Sequence, residues 1–316
     1  MSTKIKNAGQ LVIRAFSEKS SSYSTWAGFQ KEAAGRLCGW LPDQIHGPVL
    51  EAGAGTGLFT RHLIKKYPDV PIIITDASVE MLLACRQELV RISPGRKRHA
   101  HGSEVKTTVP AVSLLRTCEQ NQVPADNGFN ANNNPKQELR FIVYNPEQEG
   151  PYTSKHNLVI SALTAQWFSD FGKGVSAMAN SVSDGGHIIL SYLTNSSFPE
   201  WANKCSELGI PFTANRLPQE GSGSNVLNSL GFDVSSEHIH ITIDYPSAID
   251  FFRSLKMTGA STQLGGISNR PSDMKRLITA IDQTDGRLEK PKKIKITYSL
   301  DVVTGFKKTE KERHVL

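Results

Sequence analysis

Cysteine is scarce: Cys38, Cys85, Cys118 and Cys205 are the only four in 316 residues. They are far apart, with no C-x-x-C pair and no histidine at ligand spacing, which argues against a disulfide framework or a zinc site; no metal is expected. Long apolar runs are missing too. No stretch approaches the ~18 residues that span a bilayer, and the opening MSTKIKNAGQLVIRAF lacks an apolar core ending in a small-residue cleavage site. A cytoplasmic chain without a membrane partner is the expectation. G-x-S-x-G and H-E-x-x-H are absent, which removes the commonest serine-hydrolase and zinc-protease signatures. Negative charge is in deficit: 36 Lys and Arg outweigh 30 Asp and Glu, for a net charge of +6. Such a balance suits an anionic partner. Residues 284–316 alone hold nine basic against five acidic groups, a charged tail expected to fray beyond Lys307. The basic cluster Arg96, Lys97, Arg98, His99, His101 has no interleaved aromatics to stack on bases, so nucleic-acid binding is not expected.

What is present is an alternation of buried strands and helices. Residues 11–41 place Leu11, Val12, Ala15, Phe16, Trp26, Phe29, Ala33, Leu37 and Trp40 at helical spacings around a Ser-rich break, which predicts two helices forming an N-terminal cap over 1–45. A short apolar strand then enters a glycine-rich turn, and LFTRHLIKKY follows as a helix. PIIITDAS and VEMLLACRQELVRI repeat strand and helix, so a parallel sheet with helices on both faces is predicted. From 93 to about 138 the chain becomes rich in Asn, Pro, Gly and charge, with one weak helical candidate at Val112 to Cys118, and reads as a mobile polar insertion. LRFIVYN, NLVISAL and GGHIILSYL resume the strands, with QWFSDFGKGVSAMANSV as a helix. Beyond Thr194, helices at FPEWANKCSELG, SNVLNSLG, SAIDFFRSLKMTG and DMKRLITAID alternate with strands HIHITIDY and KIKITYSLDVVTGF. The main domain is read as 46–306, with lid segments at about 195–235 and 246–290. His238 and His240 share one strand face, as packing or surface residues.

Chemistry concentrates at Glu51-Ala52-Gly53-Ala54-Gly55-Thr56-Gly57. Glycines at a strand-to-helix turn let a ligand approach the backbone, and Asp76, at the end of the next strand, can accept both hydrogen bonds of a ribose diol. An adenosine-containing ligand is implied. The spacing fits neither G-x-G-x-x-G nor G-x-x-x-x-G-K-[ST]. Glu51 would repel a pyrophosphate but suits an amino group and a sulfonium. E-x-G-x-G-x-G followed by Asp76 resembles the first two motifs of class I S-adenosylmethionine-dependent methyltransferases. That resemblance implies S-adenosylmethionine as cofactor and an α/β, Rossmann-like, mostly parallel seven-stranded sheet. It implies Glu51, Gly53, Ala54, Gly55, Gly57 and Asp76 as cofactor residues, with Asn145 standing where an Asp near the adenine is usual.

A narrower resemblance lies in IRAFSEKSSSY (13–23), QWFSD (166–170), FPEW (198–201), PFTANRLP (211–218), FFRSLKMTGAS (251–261) and ITYSLDVVTG (296–305). In order and spacing these are similar to the malonyl-acyl-carrier-protein O-methyltransferases of biotin synthesis, outside the insertion and a sparse match at 221–245. The resemblance implies transfer of the methyl group to the free carboxylate of a malonyl thioester, giving the ester that starts pimeloyl synthesis. The implied partner is an acidic acyl-carrier protein bearing the malonyl group, or malonyl-coenzyme A, and the enzyme is expected to be a monomer. An ionised carboxylate attacks without a general base, so no catalytic base is assigned. Arg216 is the favoured grip on the carboxylate, with Arg253 and Lys256 as alternatives on one helix face and Tyr23 and Gln166 as pocket residues. Methylation of another small carboxylate or hydroxylated metabolite, and a non-catalytic cofactor-binding role in an assembly, are the rival readings.

Overall fold

The computed structural model describes residues 9–20, 27–92, 137–152, 155–261, 269–283 and 293–309. Helix α1 (9–20) and α2 (Gly28–Leu37) precede β1 (Val49–Ala52), α3 (Thr60–Lys66), β2 (Ile72–Asp76) and α4 (Val79–Ile92). Then come β3 (Leu139–Val143), a short α5 (Pro146–Glu149), β4 (His156–Ala162), α6 (Phe171–Asn180) and β5 (Val182–Leu193). The remainder is α7 (Pro199–Leu208), α8 (Ser222–Ser229), β6 (Phe232–Tyr245), α9 (Ala248–Met257), α10 (Pro271–Asp282) and β7 (Ile294–Lys307).

The seven strands form one sheet in the order β3-β2-β1-β4-β5-β7-β6. The first five are parallel, and β7 is antiparallel to both β5 and β6. Strands β1, β2 and β4 are largely apolar at successive positions, Glu51 apart in β1, because both sheet faces are covered. Val49, Ile72, Ile74, Leu158 and Ile160 pack on one face with Leu82 and Leu89 of α4. Leu50, Ile73 and Val159 pack on the other with Val175 and Met178 of α6. This is the period-two alternation of a pleated strand. A third core sits against β6 and β7, where Phe198 at the start of α7, Trp201 (α7), Phe251 (α9) and Leu277 (α10) meet Phe29 of α2 and Tyr298 of β7.

Several boundaries differ from the sequence reading for local reasons. QWFSD does not begin α6: Ala165–Trp167 form a 3-10 turn, and the Asp170 side chain caps the helix by accepting from Lys173 N. β6 starts six residues before HIHITIDY, because its polar first half pairs with β7 along an exposed edge. Gln137 and Glu138 belong to the fold rather than to the insertion: Gln137 is buried with Nε2 donating to Tyr67 O at 2.9 Å, and Glu138 O accepts from Ile72 N. The helix expected at 112–118, the Ser-rich break with Tyr23 and Trp26, and the tail beyond 309 lie outside the described residues. Among the described residues no helix is long and apolar enough to cross a membrane.

Candidate active site

The glycine loop leaves β1 where parallel strands leave room at a sheet switch point, since β1 has β2 on one side and β4 on the other. Gly53 N and Ala54 N both donate to Thr75 O, which pins the loop to β2. Gly53, Gly55 and Gly57 all have positive φ, but their surroundings differ. A Cβ on Gly57 would stand 2.7 Å from Cys85 Sγ of α4, and one on Gly53 2.2 Å from Thr164 Oγ1. A Cβ on Gly55 would meet nothing within 4 Å. Two of the glycines thus allow elements to touch, while Gly55 leaves space in a cavity that Glu51, Asp76, Ala77, Tyr144 and Asn145 also line.

The acids around this cavity are set up to receive something. Asp76 Oδ2 accepts from Gly55 N at 2.8 Å and Oδ1 from Ser78 N at 2.9 Å, so each oxygen keeps a further lone pair for a ligand hydroxyl. Burial raises the Asp76 pKa against the pull of those N–H groups. Glu51 is 1% exposed, and its Oε2 has no hydrogen-bond partner. Burial pushes its carboxyl up to about 8, with the Asp76 charge adding to the rise and the Thr60 hydroxyl opposing it. A buried acid without a cation is an unfinished pair. Asn145 lines the cavity as expected, but its Oδ1 already accepts from Glu147 N at 3.1 Å as the cap of α5.

A second cavity, about 360 Å³, opens beside the first and shares Phe16, Gln30, Leu163 and Trp167 with it. Aromatic side chains dominate its wall, among them Phe29, Trp201, Phe252 and Tyr298. Of the substrate residues expected from sequence, Gln166 and Lys256 line it. Gln166 is buried, its Nε2 donating to Leu163 O at 2.8 Å and its Oε1 without a partner. Arg216 and Arg253 line neither cavity. Arg216 is exposed in the loop between α7 and α8, its neighbours Asn215 and Leu217 facing the cavity instead, and Arg253 pairs with Asp250 at 2.7 Å on the surface of α9. Tyr23 lies outside the described residues.

Other residues of the site carried little sequence signal. Val12, Ile13 and Phe16 of α1 read as ordinary apolar spacing, yet they line the first cavity, and Phe16 meets Trp167 edge-on with ring centres 5.2 Å apart. Thr164 and Gln30 belong to no motif. Leu163, between the cavities, has φ 55, a conformation unusual for a residue with a side chain that shows only in three dimensions. His238 and His240 do more than pack: their Nδ1 atoms bond Asp301 Oδ1 at 2.8 Å and Ser299 Oγ at 2.9 Å. Asp301 Oδ2 also accepts from Tyr192 Oη and from Gly221 N, which ties the loop before α8 to the sheet.

No family model matches the chain. It is similar to the malonyl-[acyl-carrier protein] O-methyltransferase of Magnetococcus marinus, 25% identical over 256 residues, or 79% of this chain and 76% of that one. The enzyme of the same name from Anoxybacillus flavithermus is 23% identical over 284 residues, 87% and 89% of the two chains. The biotin biosynthesis bifunctional protein BioCD of Bordetella avium is 22% identical over 277 residues, covering 87% of this chain and 48% of that protein. Among solved structures, the YcgJ protein of Bacillus subtilis aligns with TM-score 0.51 at 15% identity over 88% of this chain and 99% of its own. A Bacillus halodurans protein provisionally classed as a methyltransferase aligns with the same TM-score at 13% identity, over 88% and 100%. The chain therefore has the Rossmann-like methyltransferase fold, and in sequence it resembles the malonyl-acyl-carrier-protein O-methyltransferases over most of its length.

Proposed function

We propose that this chain is an S-adenosylmethionine-dependent carboxyl methyltransferase whose acceptor is the free carboxylate of a malonyl thioester carried by an acyl-carrier protein. The observation that carries the reading is the junction of two unlike cavities. One has the glycine loop, Asp76 and an unpaired buried Glu51; the other is largely apolar with a lysine at its border. Asp76 would hold the ribose diol, Glu51 would balance the ammonium group, and Gly55 leaves the backbone open to the ligand. Asn145, with one lone pair of Oδ1 spent on its helix cap, keeps another for the adenine amino group. S-adenosylmethionine supplies the electrophile, a sulfonium methyl.

The chain's own residues then have to position and desolvate. A malonyl carboxylate is ionised at neutral pH, so no side chain has to remove a proton from it. Gln30 and Trp167 line both cavities; an amide N–H from Gln30 can orient the carboxylate, while Phe16 and Trp167 exclude water. Alignment of this kind supplies a large share of the rate in displacement reactions. Lys256 puts a cation in the lining of the second cavity and Arg216 is exposed next to its lining residues Asn215 and Leu217, which suits an acidic carrier better than it suits a buried grip on the carboxylate, while Arg253 is already paired with Asp250.

The test is intact-mass spectrometry of malonyl-carrier protein incubated with the chain and S-adenosylmethionine, with acetyl-carrier protein, malonyl-coenzyme A and unrelated small acids in parallel. A methyl-sized gain on the malonyl form and none on the acetyl form is expected. Methylation confined to an unrelated acid would reassign the acceptor, and cofactor binding without any turnover would favour the non-catalytic reading.

A further inference from the structure

Part of the wall of the second cavity has no regular structure of its own. Between the end of α7 and the start of α8, residues 209–221 form neither helix nor strand, yet Thr213, Ala214, Asn215 and Leu217 line the cavity. A stretch of this kind takes its position from what it is tied to, and its far end is tied to the sheet by polar groups. Gly221 N donates to Asp301 Oδ2 of β7 at 2.7 Å. The other oxygen of Asp301 bonds His238 Nδ1 of β6 at 2.8 Å, and His238 Nε2 lies 3.3 Å from Glu220 Oε1. A carboxylate only accepts, so the hydrogen of the 2.8 Å bond belongs to Nδ1. Nε2 is sealed from water and makes no hydrogen bond of good geometry, which leaves Glu220 as the group that a proton on it meets. Glu220 Oε1 also accepts from Ser196 Oγ, and Asn195 N donates to Pro218 O at 2.9 Å, so the turn before α7 is fastened to the loop before α8 at the same place.

We propose that His238 is a positioning residue for the methyl acceptor: by joining Glu220 of the loop to Asp301 of the sheet it sets where the wall at 213–217 stands. The assignment rests on the reading of the acceptor given above. Polar bridges of this kind add little net stability, but each partner has to meet a particular oxygen, so they fix one arrangement where apolar side chains would allow several. The bridge lies far from the reacting atoms and acts only through the loop. No residue of 209–221 lines the cofactor cavity, so loosening the loop falls on the acceptor and spares S-adenosylmethionine.

Arg216, exposed within the stretch, reports on the loop directly, because trypsin cuts a packed segment through its opened state. Three variants are compared: Glu220→Ala and Glu220→Gln at the exposed end of the bridge, and His238→Phe at its centre. Glu220→Ala and His238→Phe are expected to speed cleavage after Arg216 by about tenfold, as for one lost charge-assisted bond, with other cleavage sites unchanged. Glu220→Gln keeps an oxygen for Ser196 Oγ and should have a smaller effect. In assays with malonyl-carrier protein, Glu220→Ala and His238→Phe should raise KM for the carrier by about threefold or more, while kcat and KM for S-adenosylmethionine stay within about twofold. A general loss of stability would instead speed cleavage at every site and move both KM values, which would overturn the positioning role. Native-like cleavage after Arg216 in Glu220→Ala, a surface change, would overturn it even where His238→Phe fails to fold. Faster cleavage with an unchanged KM for the carrier would overturn it as well, leaving the bridge an anchor without influence on the acceptor. Absence of methylation by the unmodified chain on every malonyl thioester would overturn the reading of the acceptor, a result separate from the cleavage rates.

Discussion

At Glu51 a carboxyl group sits in a buried strand with no cation beside it among the described residues, and the consequence is a proton. Burial lifts its pKa from the ordinary value near 4.5 to about 8, so at pH 6.5 the ligand-free protein holds this proton while the unfolded chain has released it. The sign follows: stability of the ligand-free protein is greatest below about pH 4.5 with respect to this group and declines as pH rises towards about 8. A ligand that brings an ammonium group reverses the preference, since the ionised carboxylate then gains a partner. Binding of S-adenosylmethionine at pH 6.5 is therefore expected to release close to one proton. Titration calorimetry in two buffers of different ionisation heat measures it directly, and Glu51→Gln should abolish the release. Binding by the native chain with no proton released at that pH would mean that Glu51 does not face the ammonium group. The position of this acid was legible in sequence; its protonation was not, because burial of both faces of β1 depends on α3 and α4 closing over one face and α6 over the other.

The strand, loop and helix around 49–66 form the element most fully readable from sequence, since glycine at a turn after an apolar run has few other uses. What sequence could not do was sort the glycines. Gly53 and Gly57 press on Thr164 and on Cys85, residues far away in the chain, whereas Gly55 faces open space. Substitution to alanine should separate these roles. Gly57→Ala adds a methyl group against Cys85 Sγ in a left-handed conformation and should cost about 3 kcal/mol of stability, from strain and overpacking together. Gly55→Ala should cost about 1 kcal/mol for the backbone alone, yet weaken S-adenosylmethionine binding by tenfold or more, because its methyl group stands where the ligand would lie. Chemical denaturation and calorimetry on both variants give the two quantities. Comparable losses of stability, with cofactor affinity spared in Gly55→Ala, would remove the loop from the cofactor site. The second cavity is the opposite case. Its described residues come from α1, α2, the 3-10 turn before α6, α7, the loop before α8, α9, α10 and the strands β5, β6 and β7, and no local spacing joins them. Arg216 stood out in sequence as a charged residue in a loop, but a loop position does not say which way a side chain faces.

For the molecule as a whole, parallel alternation and five strands follow from the pattern of apolar runs, while the placement of β7 between β5 and β6 does not. A strand pairing across more than a hundred residues, as Leu193 does with Leu300, leaves no trace in local periodicity. Its polar face, with Ser299 and Asp301, is explained only by His240, His238 and Tyr192 opposite. The polar segment from 93 to 136 raises the remaining question, whether it is a part of the machine or an interruption. All seven strands lie outside it, as do the described residues that line the two cavities. The chain on either side is held independently, by Leu82 and Leu89 of α4 in the core and by Gln137 bonded to Tyr67 O. The described anchors on both sides belong to the core, and loop-closure entropy changes only slowly with length. Replacing residues 95–134 with a Gly/Ser linker about half as long should move the melting temperature by only a few degrees, since a doubling of loop length alters stability by about 0.6 kcal/mol. It should also leave S-adenosylmethionine affinity within about threefold. Differential scanning calorimetry together with a cofactor titration decides it: loss of the cooperative transition would make the segment structural. If melting is unchanged and turnover falls only with the carrier-bound substrate, not with malonyl-pantetheine, its basic residues would belong to the carrier's docking surface.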